Sequence, residues 1–155
     1  MRVCLLLLLL PLLAACTSIR GESDAPVFHA PEGRVGLPFS EAVRVDDWLF
    51  LSGQIGTVRL DAADLAQVRL AEGGIGPETR QTMENIRAVL ERHGARLDDV
   101  VKCTVMLADI AEWPAMNAVY VTFFPGPKPA RSAFAATGLA LGARVEIECL
   151  AYVGD

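Results

Sequence analysis

Two kinds of side chain in this sequence stand where they could do chemistry. Arg131 follows the proline-rich run Pro125-Gly126-Pro127-Lys128-Pro129 and Ala130, and it opens an apolar, strand-like stretch. A guanidinium on a stiffened backbone suits a bidentate grip on a carboxylate. Glu146 and Glu148 interrupt the apolar closing segment, residues 145–153. A carboxylate in apolar surroundings is harder to ionise, which fits it for general acid or base work near neutral pH. Spacing alone also allows a blander arrangement, in which Arg131 and one glutamate form a structural or intersubunit ion pair. Cys103 and Cys149 sit in strand-like segments, either as small core residues or, in an oxidising compartment, as a disulfide. No Cys or His pair has metal-ligand spacing. His29 and His93 stand alone in the sequence and read as structural or solvent-exposed.

The elements that must position these groups follow from periodicity. Residues 42–55 read as strand: Trp48, Phe50 and Leu51 favour a sheet, Asp46-Asp47 supplies a hairpin turn, and Ser52-Gly53 ends the run. Residues 57–76 read as a flexible connector. Its end, Glu72-Gly73-Gly74-Ile75-Gly76, lacks the Gly-Lys-Ser/Thr that a phosphate loop requires. Residues 77–93 give the clearest helix. Pro77 suits the first helical position, Glu78 favours the positive end of the dipole, Met83, Ile86, Val89 and Leu90 form one stripe, and His93-Gly94 supplies the stop. Residues 100–107 alternate, with Val101, Cys103, Val105 and Leu107 on one face and Lys102 and Thr104 on the other. Residues 114–124 form a second helix with Met116, Val119, Tyr120 and Phe123 as its stripe. Residues 132–137 and 145–153 are the last strands. This order describes an α+β layer with two helices on one sheet face. In so small a domain the other face needs cover from a second copy of the chain, so the sequence predicts a homo-oligomer.

The chain has 155 residues and a formal net charge of −5, a balance that argues against nucleic acid as a partner. Its start is a short cationic segment and a leucine-rich core, too short for a spanning helix of about 20 apolar residues. The core ends Leu13-Ala14-Ala15-Cys16, which resembles the lipobox of bacterial lipoproteins. The expected organisation is a lipoprotein signal peptide at 1–15, a lipidated tether at 16–37 beginning with Cys16, and one domain at 38–155. The expected location is the cell envelope, lipid-anchored on the periplasmic side. Thr17 in place of an aspartate after Cys16 points to the outer membrane of a two-membrane cell.

Six short stretches, in order, carry a more specific resemblance. They are Leu51-Ser52-Gly53-Gln54-Ile55, Gln81-Thr82-Met83-Glu84-Asn85-Ile86 and Val101-Lys102-Cys103-Thr104-Val105. Met116-Asn117-Ala118-Val119-Tyr120, Pro129-Ala130-Arg131-Ser132 and Val145-Glu146-Ile147-Glu148 complete the set. Together they resemble the reactive intermediate deaminase A family (RidA, also called YjgF) across nearly the whole domain. The resemblance implies a chorismate-mutase-like fold, a homotrimer with a central barrel, and ligand clefts between subunits. It also implies cofactor-free hydrolysis of 2-imino acids, of the 2-iminopropanoate and 2-iminobutanoate type, to 2-oxo acids and ammonia. By this resemblance Arg131 binds the substrate carboxylate and Glu146 orients the attacking water, while Gly53 and Asn117 line or support the cleft. Two substrate-site positions depart from active relatives: Ala133 replaces a cysteine, and Phe39 replaces a tyrosine. The alternative these departures leave open is a non-catalytic lipoprotein that binds a small carboxylate or acts as a chaperone-like surface.

Overall fold

A computed structural model describes residues 25–33, 36–60 and 67–154. The expected signal peptide and Cys16 lie outside these residues. The two longest strands, Val100–Leu107 and Val145–Tyr152, pair with each other and hold the sheet together. Numbered along the chain, the strands are β1 (Val27–His29), β2 (Ala42–Val45), β3 (Trp48–Leu51), β4 (Gln54–Ile55), β5 (Thr57–Arg59), β6 (Val68–Leu70), β7 (Val100–Leu107), β8 (Ala130–Ala135) and β9 (Val145–Tyr152). The helices are α1 (Ile75–Arg92) and α2 (Trp113–Tyr120). The main sheet runs β1-β2-β3-β9-β7-β8, with β4 paired to the first half of β9. β7 is antiparallel to β9 and parallel to β8.

Both helices lie on one face, as the apolar stripes require. Met83, Ile86 and Leu90 of α1 and Met116 of α2 are fully buried against Leu49, Val105, Leu107, Val145 and Ile147 of the sheet. The alternation along β7 holds from Cys103 onward. At its start a bulge between Val100 and Lys102 shifts the register, so Val100 turns inward and Val101, expected on the core face, is exposed. The helix begins at Ile75 and not at Pro77, because Gly74 adopts φ 88° and lets the chain turn into α1 earlier. Glu78, expected to serve the helix dipole, is buried, and its Oε1 accepts from the backbone N–H of Arg144 at 2.7 Å.

Three stretches differ from the sequence reading. Residues 57–76 are not simply a connector, since β5 and β6 form a separate two-stranded hairpin. The sheet also starts ahead of residue 38, with β1 pairing Phe28 to Val43. The two histidines are far from isolated. The His29 and His93 rings lie 4.2 Å apart, and His93 Nε2 is 3.0 Å from Glu41 Oε1, which also accepts from Arg92 Nε at 3.0 Å. Burial pushes the Glu41 carboxyl up, but its bonds from Arg92 and His93 outweigh this and hold it below its usual range. Burial, with the nearby His93 and Arg44, lowers His29.

The face away from the helices carries Phe28, Trp48, Phe50, Phe134 and Tyr152, all exposed. Trp48 and Tyr152 are cross-strand partners with ring centroids 5.0 Å apart. No helix among the described residues is long and apolar enough to cross a membrane.

Cys103 and Cys149 resolve the choice left by the sequence: they form a disulfide. They face each other directly across β7 and β9 with their Cα atoms 4.2 Å apart, the close approach of a non-hydrogen-bonded antiparallel pair. Closing a loop between residues 46 apart is worth about 3–4 kcal/mol in the chain-entropy account. Reduction is therefore expected to lower the melting temperature by on the order of 10 °C. A Cys103→Ser/Cys149→Ser double variant should melt near the reduced protein and ignore reductant. An unchanged melting temperature on reduction of the wild type would show that the bond contributes nothing.

Candidate functional site

Arg131 is the second residue of β8, an edge strand, and its register partner on β7 is Cys103. That pairing points its side chain to the helix face, where α2 receives it. Arg131 donates from Nη1 to Asn117 Oδ1 at 2.8 Å. Its guanidinium carbon lies 4.8 Å from the centre of the Tyr120 ring and 5.6 Å from that of Trp113. Two aromatic faces and one amide thus hold the cation while leaving part of the guanidinium edge without a protein partner among the described residues. Tyr120 is buried, and its hydroxyl has no hydrogen-bond partner. Burial pushes this phenol up to about 12, with Arg131 pulling the other way, so it stays protonated at physiological pH. Ala133 is two residues along β8, opposite Val105, and packs against the core.

Glu146 belongs to a different surface. It lies between fully buried Val145 and Ile147, so strand alternation turns it to the face away from the helices. Its carboxylate fills the space above Gly53: a Cβ there would collide with Oε1 of Glu146. Gly53 is therefore glycine because a carboxylate occupies the place of its side chain. Both line an open cleft of about 850 Å³ together with Phe39, Gln54, Ile55 and Leu141. Arg131, Asn117 and Ala133 do not line it.

The six candidate residues thus fall into two groups. Arg131, Asn117 and Ala133 form one; Glu146, Gly53 and Phe39 form the other. Arg131 and Glu146 are two strands apart and three residues out of register, a Cα separation of roughly 14 Å from standard sheet spacings, on opposite faces. They do not form an ion pair within the chain, and no single small acid can touch both from one copy. Trp113 and Tyr120 are the residues the sequence reading missed as part of the Arg131 setting. Tyr120 was legible only as one member of a helical stripe, and its position three residues after Asn117 is the signal that puts both on the side of α2 facing the arginine.

These features define an α+β protein of the chorismate-mutase-like class, with an arginine at the sheet edge held by two aromatic rings and an amide. The family described as Endoribonuclease L-PSP (Ribonuc_L-PSP), which is the RidA/YjgF family, matches residues 30–153, and the chain belongs to it. A curated relative is the mouse 2-iminobutanoate/2-iminopropanoate deaminase, 38% identical over 117 residues that cover 76% of this chain and 82% of the relative. The crystal structure of RidA from the Antarctic bacterium Psychrobacter sp. PAMC 21119 is 37% identical with a TM-score of 0.67, covering 77% of this chain and 91% of that one. E. coli TdcF with bound serine is 26% identical with a TM-score of 0.68, covering 81% and 94%.

Gly53→Ala tests the second group directly. The added methyl must displace the Glu146 carboxylate by about 1 Å, a misplacement that costs on the order of 10²-fold in turnover dependent on it. Ligand-induced thermal shifts that depend on Arg131 should survive. Full turnover in Gly53→Ala would show that the carboxylate position is unimportant.

Proposed function

We propose that this protein hydrolyses 2-imino acids of the 2-iminopropanoate and 2-iminobutanoate type to 2-oxo acids and ammonia without a cofactor. The observation that carries the reading is the pair of half-sites: a guanidinium held with a free edge, and a carboxylate seated on a glycine, each at a family motif. The deaminase names of the curated relatives, matched over most of their length, support it. The family's descriptive name points to RNA cleavage, but an acidic chain offers little attraction for a polyanion.

The two half-sites meet if the exposed apolar sheet faces of three copies pack into a barrel, so that Arg131 of one copy approaches Glu146 of the next. Arg131 then fixes the substrate carboxylate and orients the C=N carbon. Asn117, Trp113 and Tyr120 hold the guanidinium and do not react. Glu146 accepts a proton from water as the oxygen bonds to the carbon of the protonated imine, giving a neutral carbinolamine. It returns that proton to nitrogen, then takes the hydroxyl proton as the C–N bond breaks, so that ammonia departs, the carbonyl forms and Glu146 passes the last proton to solvent. An imine is already close to hydrolysis, so positioning and one proton relay suffice.

The test follows imine decay, with 2-iminopropanoate generated by an amino-acid oxidase. Arg131→Ala and Glu146→Gln should each lose at least roughly 10²-fold. Co-expressing the two variants should restore part of the activity, because a mixed trimer contains interfaces that keep both groups. Wild-type decay at the buffer rate sinks the enzyme reading. Arg131-dependent binding of a 2-oxo acid without turnover would favour the binding-module alternative. Loss of activity in both variants with no recovery on mixing would sink the shared site.

We further propose that the chain is exported and lipid-anchored through Cys16, with the outer membrane as its destination. The disulfide supports this location, since such bonds persist in oxidising compartments and are rare in the cytosol. Labelled palmitate should enter the wild-type protein and be lost in Cys16→Ala. A soluble, unlabelled wild type overturns the proposal.

A further inference from the structure

We infer that His29 is an acid-sensitive fastener: as a neutral ring it clips β1 to the end of α1, and as a cation it lets β1 leave the edge of the sheet.

β1 has three residues and, among the described residues, pairs only with β2. So short an edge strand depends on its side chains to stay docked. Phe28 points to the face that the proposed assembly covers, and Val27 is 49% exposed. His29 is the side chain that reaches inward within the copy. Its ring lies 4.2 Å from that of His93, the residue that caps α1. Its Nε2 is buried and has no hydrogen-bond partner among the described residues. A neutral imidazole tolerates this by carrying its hydrogen on Nδ1. An imidazolium does not, because both nitrogens then carry a hydrogen and Nε2 has nothing to donate to.

The surroundings also resist a positive charge. Arg44 of β2 acts on the ring from one side and is fixed in place, since its Nη2 donates to the His93 carbonyl at 2.7 Å. The carboxylate beside the ring, Glu41, is already engaged. Its oxygens accept from Arg92 of α1 at 3.0 and 2.6 Å, and Oε1 lies 3.0 Å from His93 Nε2. Glu32, beyond β1, pairs with Arg92 and with Arg59 of β5. Burial first, then His93 and Arg44, make His29 harder to protonate, against a smaller opposite pull from Glu41. Burial works against ionised Glu41 too, but the bonds from Arg92 and His93 win, so it stays charged while His29 titrates. A base held below its ordinary value binds fewer protons docked than free. Docking is therefore complete above the ordinary histidine value of about 6.5 and is lost progressively as pH falls below it. Pro31 and Glu32 come soon after β1 and line the cleft beside Glu146, so release of β1 reaches the candidate site.

The experiment is hydrogen exchange on the full chain at about pH 7.5 and about pH 5, corrected for the intrinsic exchange rate. It is read at the amides of β1 and at Glu41, whose N–H donates to the His29 carbonyl at 2.8 Å. Protection there should fall at least about threefold in acid and stay level in β7 and β9. His29→Phe, an apolar ring, and His29→Gln, a neutral amide, should each remove the pH dependence. The His29 ring, followed by NMR, should titrate over the same range in which β1 loses protection. Wild-type protection that ignores pH overturns the inference, as does an equal fall throughout the sheet or a fall that persists in both variants. Should both variants loosen β1 at every pH, the wild-type titration decides: a ring midpoint separate from the loss of protection overturns it, and a shared midpoint supports it.

Discussion

The pairing of β7 with β9 on one side and β8 on the other is the constraint on which everything else depends. It sets Cys103 opposite both Cys149 and Arg131, and Met106 opposite Glu146. Because side chains alternate, these two registers commit Arg131 to the helix face and Glu146 to the other. A slip of one residue would exchange the faces, drive the Arg131 cation out of its aromatic setting and bury the Glu146 carboxylate in the core. The disulfide joins β7 to β9 inside the core at this register. It therefore guards the very parity that the site requires.

Each half-site is prepared by a different kind of force. Arg131 is held by ring faces and one amide, interactions that keep the cation in place without neutralising it. A carboxylate partner in that position would have satisfied the guanidinium and left it little to offer a ligand. Glu146 is placed by exclusion: Gly53 gives up its side chain so that the carboxylate can lie against the backbone. Upstream, Glu78 donates nothing to chemistry but ties the start of β9 to α1 through two backbone N–H groups. The position of Glu146 along its strand thus traces back to a buried carboxylate on a helix.

The strands that alternate cleanly were legible. Residues 100–107 and 145–153 coincide with β7 and nearly with β9, because burial on one face writes itself into every second residue. The helix over residues 77–93 was legible for the same reason at a period of 3.6, apart from its start, where glycine conformation decides and sequence pattern does not. The β5–β6 hairpin was not legible: its strands are three residues long, too short for a period to register. Nor was the histidine pair, since residues 29 and 93 meet only through the tertiary fold. The site residues were recognisable by motif, but their division between two faces follows from register. The bulge at Val100, which inverts the parity expected of Val101, was not legible either.

The division has a consequence for the whole molecule under the proposed assembly. A chain that folds correctly but remains alone holds two inactive halves, so catalysis is conditional on association. The exposed aromatic face that drives association lies on the same side of the sheet as Glu146. Burying that face and completing the site are then one event. The proposed lipid anchor at Cys16 would add to this, because confining copies to a membrane surface raises their local concentration and favours a trimer at low expression. β1 lies at the sheet edge and pairs with β2. The proposed anchor and the proposed assembly would then answer to one requirement: bringing the two half-sites of neighbouring copies together.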